Sequence, residues 1–160
     1  MAISKSLKIH HTIFIIVRFV LGAIFIAAGI PKILDTASFA GVVYNYHLLP
    51  DILINAFAII LPWLEVIIGG MLILGIWLPG AVVLYNLLII AFISALIFNM
   101  ARGIDISCGC FSTDSEDIID MGTIFRDILM LCASLYLAYV VFFKKITSDK
   151  IFAKKRYRIR

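Results

Sequence analysis

Charge is scarce in this sequence. Only 15% of its 160 residues are Asp, Glu, Lys or Arg, against about 25% in a soluble globular domain. Cysteine is scarcer, at three, and so is histidine, also at three. Two sulfurs close together therefore need help from elsewhere before they make a metal site. No internal repeat is present, and there is no phosphate-binding glycine loop, haem motif or hydrolase triad. Those activities have no residues here to carry them. What remains is apolar: 63% of the chain is hydrophobic, well above the roughly 45–50% of soluble domains. The composition is that of an integral membrane protein, and residues 1–160 are expected to form a single membrane domain.

A helix needs about 20 largely apolar residues to cross about 30 Å of hydrocarbon. Four segments qualify, near Thr12–Ile30, Ile52–Trp77, Gly80–Asn99 and Thr123–Phe143. Lipid offers backbone groups no hydrogen-bond partners, so these segments must be helices. The expected fold is all-α, a four-helix transmembrane bundle. The first span is not expected to be a cleaved signal peptide, because Arg18 interrupts its apolar run and no small-x-small site ends it. Gly22, Ala23, Ala27, Ala28 and Gly29, with Gly69 and Gly70 in the second span, are candidate surfaces for close helix packing.

Lysine and arginine near the membrane stay cytoplasmic. The tail 144–160 carries Lys144, Lys145, Lys150, Lys154, Lys155, Arg156, Arg158 and Arg160, and the N-terminal flank carries Lys5 and Lys8. Both termini are therefore predicted on the cytoplasmic side, and the loops after spans one and three on the other side of the membrane. This topology accounts for the basic charge, so lipid headgroups are the expected partners of the tail and nucleic acid is not.

The second outer loop holds Cys108-Gly109-Cys110. Disulfides persist outside the cytoplasm, and Gly109 allows the tight fold that a bridge between residues two apart would require. Strained, exposed bridges are the reducible ones. A redox pair is one reading. A second is metal binding, with His47 adding an imidazole to the two thiolates for Zn or Cu(I), although Tyr44, Tyr46 and His47 also suit a membrane interface. A third is that the thiols are inert. Cys132, inside the fourth span, is expected to pack as a small hydrophobe.

Between the first two spans, Phe39, Val42, Val43, Tyr46 and Leu49 recur at helical spacing within Thr36–Leu49, predicting a short amphipathic helix on the outer face, beside the cysteine loop. Asp51 is placed to cap the second span after Pro50.

Ionisable groups within spans are functional candidates. Glu65 and Arg18 are expected to pair across the bundle, as a register-fixing contact. Alternatively, Glu65 is a proton or cation site with Asn86, aided by the carbonyl that Pro62 frees. Lys32, beside Asp35 at the end of span one, either lowers a thiol's pKa or snorkels to the interface.

In order along the chain, Arg18-Phe19-Val20-Leu21-Gly22, Gly29-Ile30-Pro31-Lys32, Phe39, Leu49-Pro50, Pro62-Trp63-Leu64-Glu65 and Cys108-Gly109-Cys110-Phe111 resemble the MauE/DoxX type of redox-associated membrane protein. The resemblance covers most of the chain. It departs at Ser112, where the pattern continues with glycine. It implies a four-helix membrane protein working with extracytoplasmic thiol-disulfide chemistry, with Cys108 and Cys110 as the redox pair and Arg18, Lys32 and Glu65 as family-like positions. In the methylamine-utilisation branch it implies a thioredoxin-like partner and maturation of a disulfide-rich dehydrogenase subunit. A quinone is a candidate electron acceptor. Membrane thiol oxidases that reduce quinone usually relay through two cysteine pairs, however, and this chain has one pair plus Cys132.

Overall fold

The computed structural model describes the backbone of residues 2–102 and 121–143, and side chains from Thr12 to Arg102, at Gly122 and from Ile124 to Phe143. Its described residues form five helices and no strand: α1 (Ala2–Leu34), α2 (Thr36–Asn45), α3 (Asp51–Leu74), α4 (Leu78–Ala101) and α5 (Met121–Phe143). Four segments are long and apolar enough to cross a membrane, at Thr12–Leu34, Asp51–Leu74, Leu78–Ala101 and Ile124–Phe143. The protein is a multi-pass membrane protein.

Each span buries one stripe and presents the rest outward. Phe14, Leu21, Phe25, Ile68, Leu72, Tyr85, Ile89 and Leu137 form the centre of the bundle, while Phe19, Ile60, Trp63, Ile67, Leu87 and Leu129 are exposed. An apolar exterior costs nothing against acyl chains, so packing between spans depends on close fit rather than on hydrophobicity. Phe25 and Tyr85 show that fit, stacked at 3.9 Å between ring centroids.

The closest approach is between α1 and α3. A Cβ on Gly22 would sit 2.8 Å from the Gly69 carbonyl oxygen, and one on Gly69 would sit 2.6 Å from that of Gly22. One on Gly29 would lie 2.9 Å from the carbonyl oxygen of Pro62. Small residues thus let two backbones touch, as expected from their frequency in the spans. Because contacts run from Gly22 against Gly69 to Gly29 against Pro62, α1 and α3 are antiparallel. That register determines which polar side chains meet further along.

The turns explain where the predicted boundaries shift. The second span was expected to reach Trp77, but Gly75 adopts φ +74° after Leu74 and its amide donates to the Met71 carbonyl at 2.9 Å. Trp77, also left-handed at φ +44°, then caps α4 ahead of Pro79. α2 ends at Asn45, short of Leu49, and His47 turns the chain with φ +49°. Its N-cap is Asp35, whose Oδ1 accepts the Ser38 amide at 3.0 Å and whose Oδ2 accepts the Ser38 hydroxyl at 2.6 Å. These bonds, the hydroxyl first, hold the Asp35 carboxyl below the usual carboxylate range. Asp51, expected to cap α3, does not. Pro50 takes that position, no side chain caps the helix, and Asp51 begins its first turn.

Candidate functional site

Lys32 lies in the last turn of α1 and Glu65 in α3. With the α1–α3 register fixed by glycine contacts, the Lys32 ammonium meets both Glu65 oxygens, at 2.8 Å and 3.0 Å. Both side chains are almost fully enclosed, at 4% and 2% exposure. Two aromatic rings flank the same ammonium, Phe39 of α2 and Phe92 of α4, each 5.2 Å from Nζ. One side chain therefore ties four helices together. A charge in hydrocarbon is expensive, and pairing with direct hydrogen bonds is what makes it tolerable.

This arrangement corrects two expectations. Glu65 does not pair with Arg18. Arg18 lies fourteen positions before Lys32, about 21 Å along the helix axis, where its NH2 donates to the Ile73 carbonyl at 3.4 Å and its guanidinium covers the Phe19 ring. Nor does Lys32 snorkel: it is 3% exposed and turned into the bundle. Asn86 is likewise separate from Glu65, accepting the Ser134 hydroxyl of α5 at 2.8 Å while donating to the Val82 carbonyl.

A second buried acid joins the first. Asp127, in the second turn of α5, is 2% exposed and accepts from Arg126 Nε at 3.1 Å, with NH2 of the same guanidinium 3.0 Å away. Arg126 stays 39% exposed, covering Asp127 from the rim. Lys32, Glu65, Arg126 and Asp127 line one cavity of about 30 Å³, together with Phe25, Ala28 and Phe92 among others. Two acids and two bases give the chamber no formal net charge. The sequence alone singles out neither Asp127 nor Arg126 as a site residue. The available signal was a carboxylate inside an apolar helical stretch, obscured by the arginine beside it.

Phe92 also lines a larger apolar cavity of about 260 Å³ between α2, α3 and α4, together with Phe39, Val43, Phe57 and Leu96. Phe39 and Val43 are the buried face of α2, so the amphipathic pattern of this helix is borne out.

The remaining candidates lie elsewhere. Cys108 and Cys110 fall outside the described residues. They fall between the end of α4 at Ala101 and the start of α5 at Met121. His47 stands edge-on to Tyr44 at 5.5 Å, and the described residues contain no cluster of three metal-ligating side chains. Cys132 is a free thiol on the outer face of α5, exposed rather than packed inside as expected.

A family model described as methylamine utilisation protein MauE matches residues 10–140. The chain belongs to the MauE family. Several relatives bear the name methylamine utilization protein MauE. That of Paracoccus denitrificans is 31% identical over 123 residues, covering 76% of this chain and 66% of the relative. The Methylorubrum extorquens protein is 35% identical over 116 residues, covering 72% and 62%. The Methylophilus methylotrophus protein is 37% identical over 116 residues, covering 71% and 61%. This MauE-family chain thus spans slightly under two thirds of the length of the relatives it matches. No solved structure matches it significantly.

Proposed function

We propose that this MauE-family membrane protein takes part in extracytoplasmic thiol-disulfide chemistry through Cys108 and Cys110, exchanging with a thioredoxin-like partner, in the methylamine utilisation for which its relatives are named. One observation carries the reading. The Cys-Gly-Cys sequence lies between α4 and α5, and Asp127, in the second turn of α5, lines the chamber where the described residues gather buried charge. Sequence charge supports an outward-facing segment, with both termini cytoplasmic.

In the proposed exchange, a thiolate of Cys108 or Cys110 attacks one sulfur of the partner's disulfide. A new S–S bond joins the proteins as the partner's other sulfur leaves as thiolate. The neighbouring cysteine, as thiolate, then attacks its own chain's sulfur in the mixed disulfide, releasing the second partner thiolate. The pair is oxidised by two electrons and the partner reduced by two; the two protons lost in forming the thiolates return to the partner's sulfurs. The reverse direction uses the same steps.

Cys110→Ser and Cys108→Ser variants test this. Expressed in membranes with the secreted proteins of the same host, one of them should accumulate a reductant-sensitive adduct with a thioredoxin-like protein. Wild-type cysteines that stay fully alkylatable under oxidising conditions would sink the proposal.

A further inference from the structure

The chamber lined by Lys32, Glu65, Arg126 and Asp127 has more hydrogen-bonding capacity than its ion pairs use. An ammonium has three N–H donors, and the two Glu65 oxygens take two of those on Lys32. Lys32 and Asp127 line the same cavity of about 30 Å³, and their charges act on one another. A water molecule needs roughly 10–15 Å³ of such space and two to four polar partners. Lys32, Glu65 and Asp127 supply those partners.

We propose that this chamber is a proton-carrying site, in which one internal water molecule bridges the Lys32 ammonium to the Asp127 carboxylate and joins the two ion pairs into a single relay. The groups facing it are Lys32 from α1, Glu65 from α3, and Arg126 and Asp127 from α5. From α4 the titratable group is Tyr85, whose buried hydroxyl has no partner among the described residues and feels the charge of Asp127. α2 contributes the Phe39 ring against Lys32 and no charge.

Entry is at Arg126, the half-exposed member. A proton brought there by water forms an O–H bond on Asp127 as the O–H bond of its carrier breaks. The bridging water passes it on in the same manner, taking a proton from Asp127 and giving one to Glu65. Lys32 then turns from the neutral Glu65 acid toward the restored Asp127 carboxylate. The ammonium thus serves two acids in turn, leaving Glu65 for the Asp127 carboxylate once Glu65 is neutral. This inference stands independently of the cysteines.

The test is infrared difference spectroscopy on the full chain in phosphatidylcholine–phosphatidylglycerol vesicles, stepping between alkaline and acid pH. Wild type should gain a protonated-carboxyl band at the high frequency of an acid in apolar surroundings, apart from the bands of the exposed acids, that shifts in D₂O and is accompanied by a water stretch that shifts with ¹⁸O-water. Asp127→Asn should lose the carboxyl band. Ala28→Val, which extends a cavity-lining side chain and keeps all four charges, should lose the ¹⁸O-sensitive stretch. No carboxyl band in wild type, or one retained in Asp127→Asn, overturns proton carriage. An ¹⁸O-sensitive stretch that is missing from wild type, or unchanged in Ala28→Val, overturns the water bridge. Should valine at position 28 unfold the bundle, the wild-type isotope measurement decides the point alone.

Discussion

Glu65 takes its cation from Lys32, 33 residues earlier in the chain, through hydrogen bonds of 2.8 Å and 3.0 Å. Removing one member leaves the other charged and enclosed, which in buried pairs costs about 3–5 kcal/mol. Lys32→Met should therefore lower the unfolding temperature in mild detergent sharply. Lys32→Met combined with Glu65→Leu should recover much of that loss, because an apolar pair of similar volume leaves no orphaned charge. A double variant as unstable as the sum of the two singles would show that the charges do not couple.

The α1–α3 contact gives a comparison within one dipeptide. A Cβ at Gly69 meets the Gly22 carbonyl oxygen at 2.6 Å, whereas one at Gly70 meets nothing within 4 Å. Gly69→Ala should cost about 1–3 kcal/mol, as overpacking of a fitted interface does. Gly70→Ala should be neutral or stabilising by about 0.5–1 kcal/mol, the usual difference between glycine and alanine in a helix interior. Equal effects at the two positions would contradict the close approach.

Asn86 and Ser134 join α4 to α5 through a hydroxyl donated to the amide oxygen at 2.8 Å. Such bonds between membrane helices average about 0.6 kcal/mol. Ser134→Ala is expected to destabilise by about that amount, and a double-mutant cycle with Asn86→Leu should isolate the coupling.

Much of this fold is legible in the sequence, because a span advertises itself by length and apolarity alone. All four spans and the buried face of α2 follow from hydropathy and helical spacing. Boundaries shift where conformation decides: nothing in the run through Trp77 reveals that Gly75 and Trp77 both turn left-handed. Pairing is harder still. Glu65 had Arg18 and Lys32 as potential cations on α1, and the choice rests on an antiparallel register set by Gly22, Gly29 and Gly69. Asp127 escaped notice because adjacent residues on a helix face different ways, so the arginine beside it says nothing of its burial. Cys108 and Cys110, the most informative residues of the sequence, lie outside the described structure.

The Asp35 cap yields a pH dependence with a definite sign. Its folded-state pKa lies below the unfolded value, which is about 3.9. The contribution of the cap is therefore fully present above the unfolded value and lost only as pH falls through the folded one. Protection of the Ser38 amide, as its exchange rate relative to that of a free chain at the same pH, should be constant from neutral pH down to mild acid and fall only in stronger acid. Asp35→Ala should lower that protection throughout the range in which wild type keeps it. A loss of protection in wild type near neutrality would be inconsistent with a lowered carboxyl.

Cys132 offers a chemical check on the outward face of α5. Being exposed among apolar neighbours, it should react with a lipid-soluble maleimide in intact vesicles and be spared by a charged, membrane-impermeant one. Cys132→Ala should change stability by less than about 0.5 kcal/mol, as surface substitutions usually do.

The Lys32–Glu65 pair also bears on how the chain enters its membrane. A charged side chain at the centre of an inserting helix costs roughly 2.5–3.5 kcal/mol, and Glu65 is well inside α3 while Lys32 is one turn from the end of α1. During synthesis α1 comes first, with its ammonium near the headgroups, and α3 follows with a carboxylate that has no partner of its own. The second crossing is thus eased by keeping the first helix alongside, so assembly and insertion of these two helices become one event rather than two.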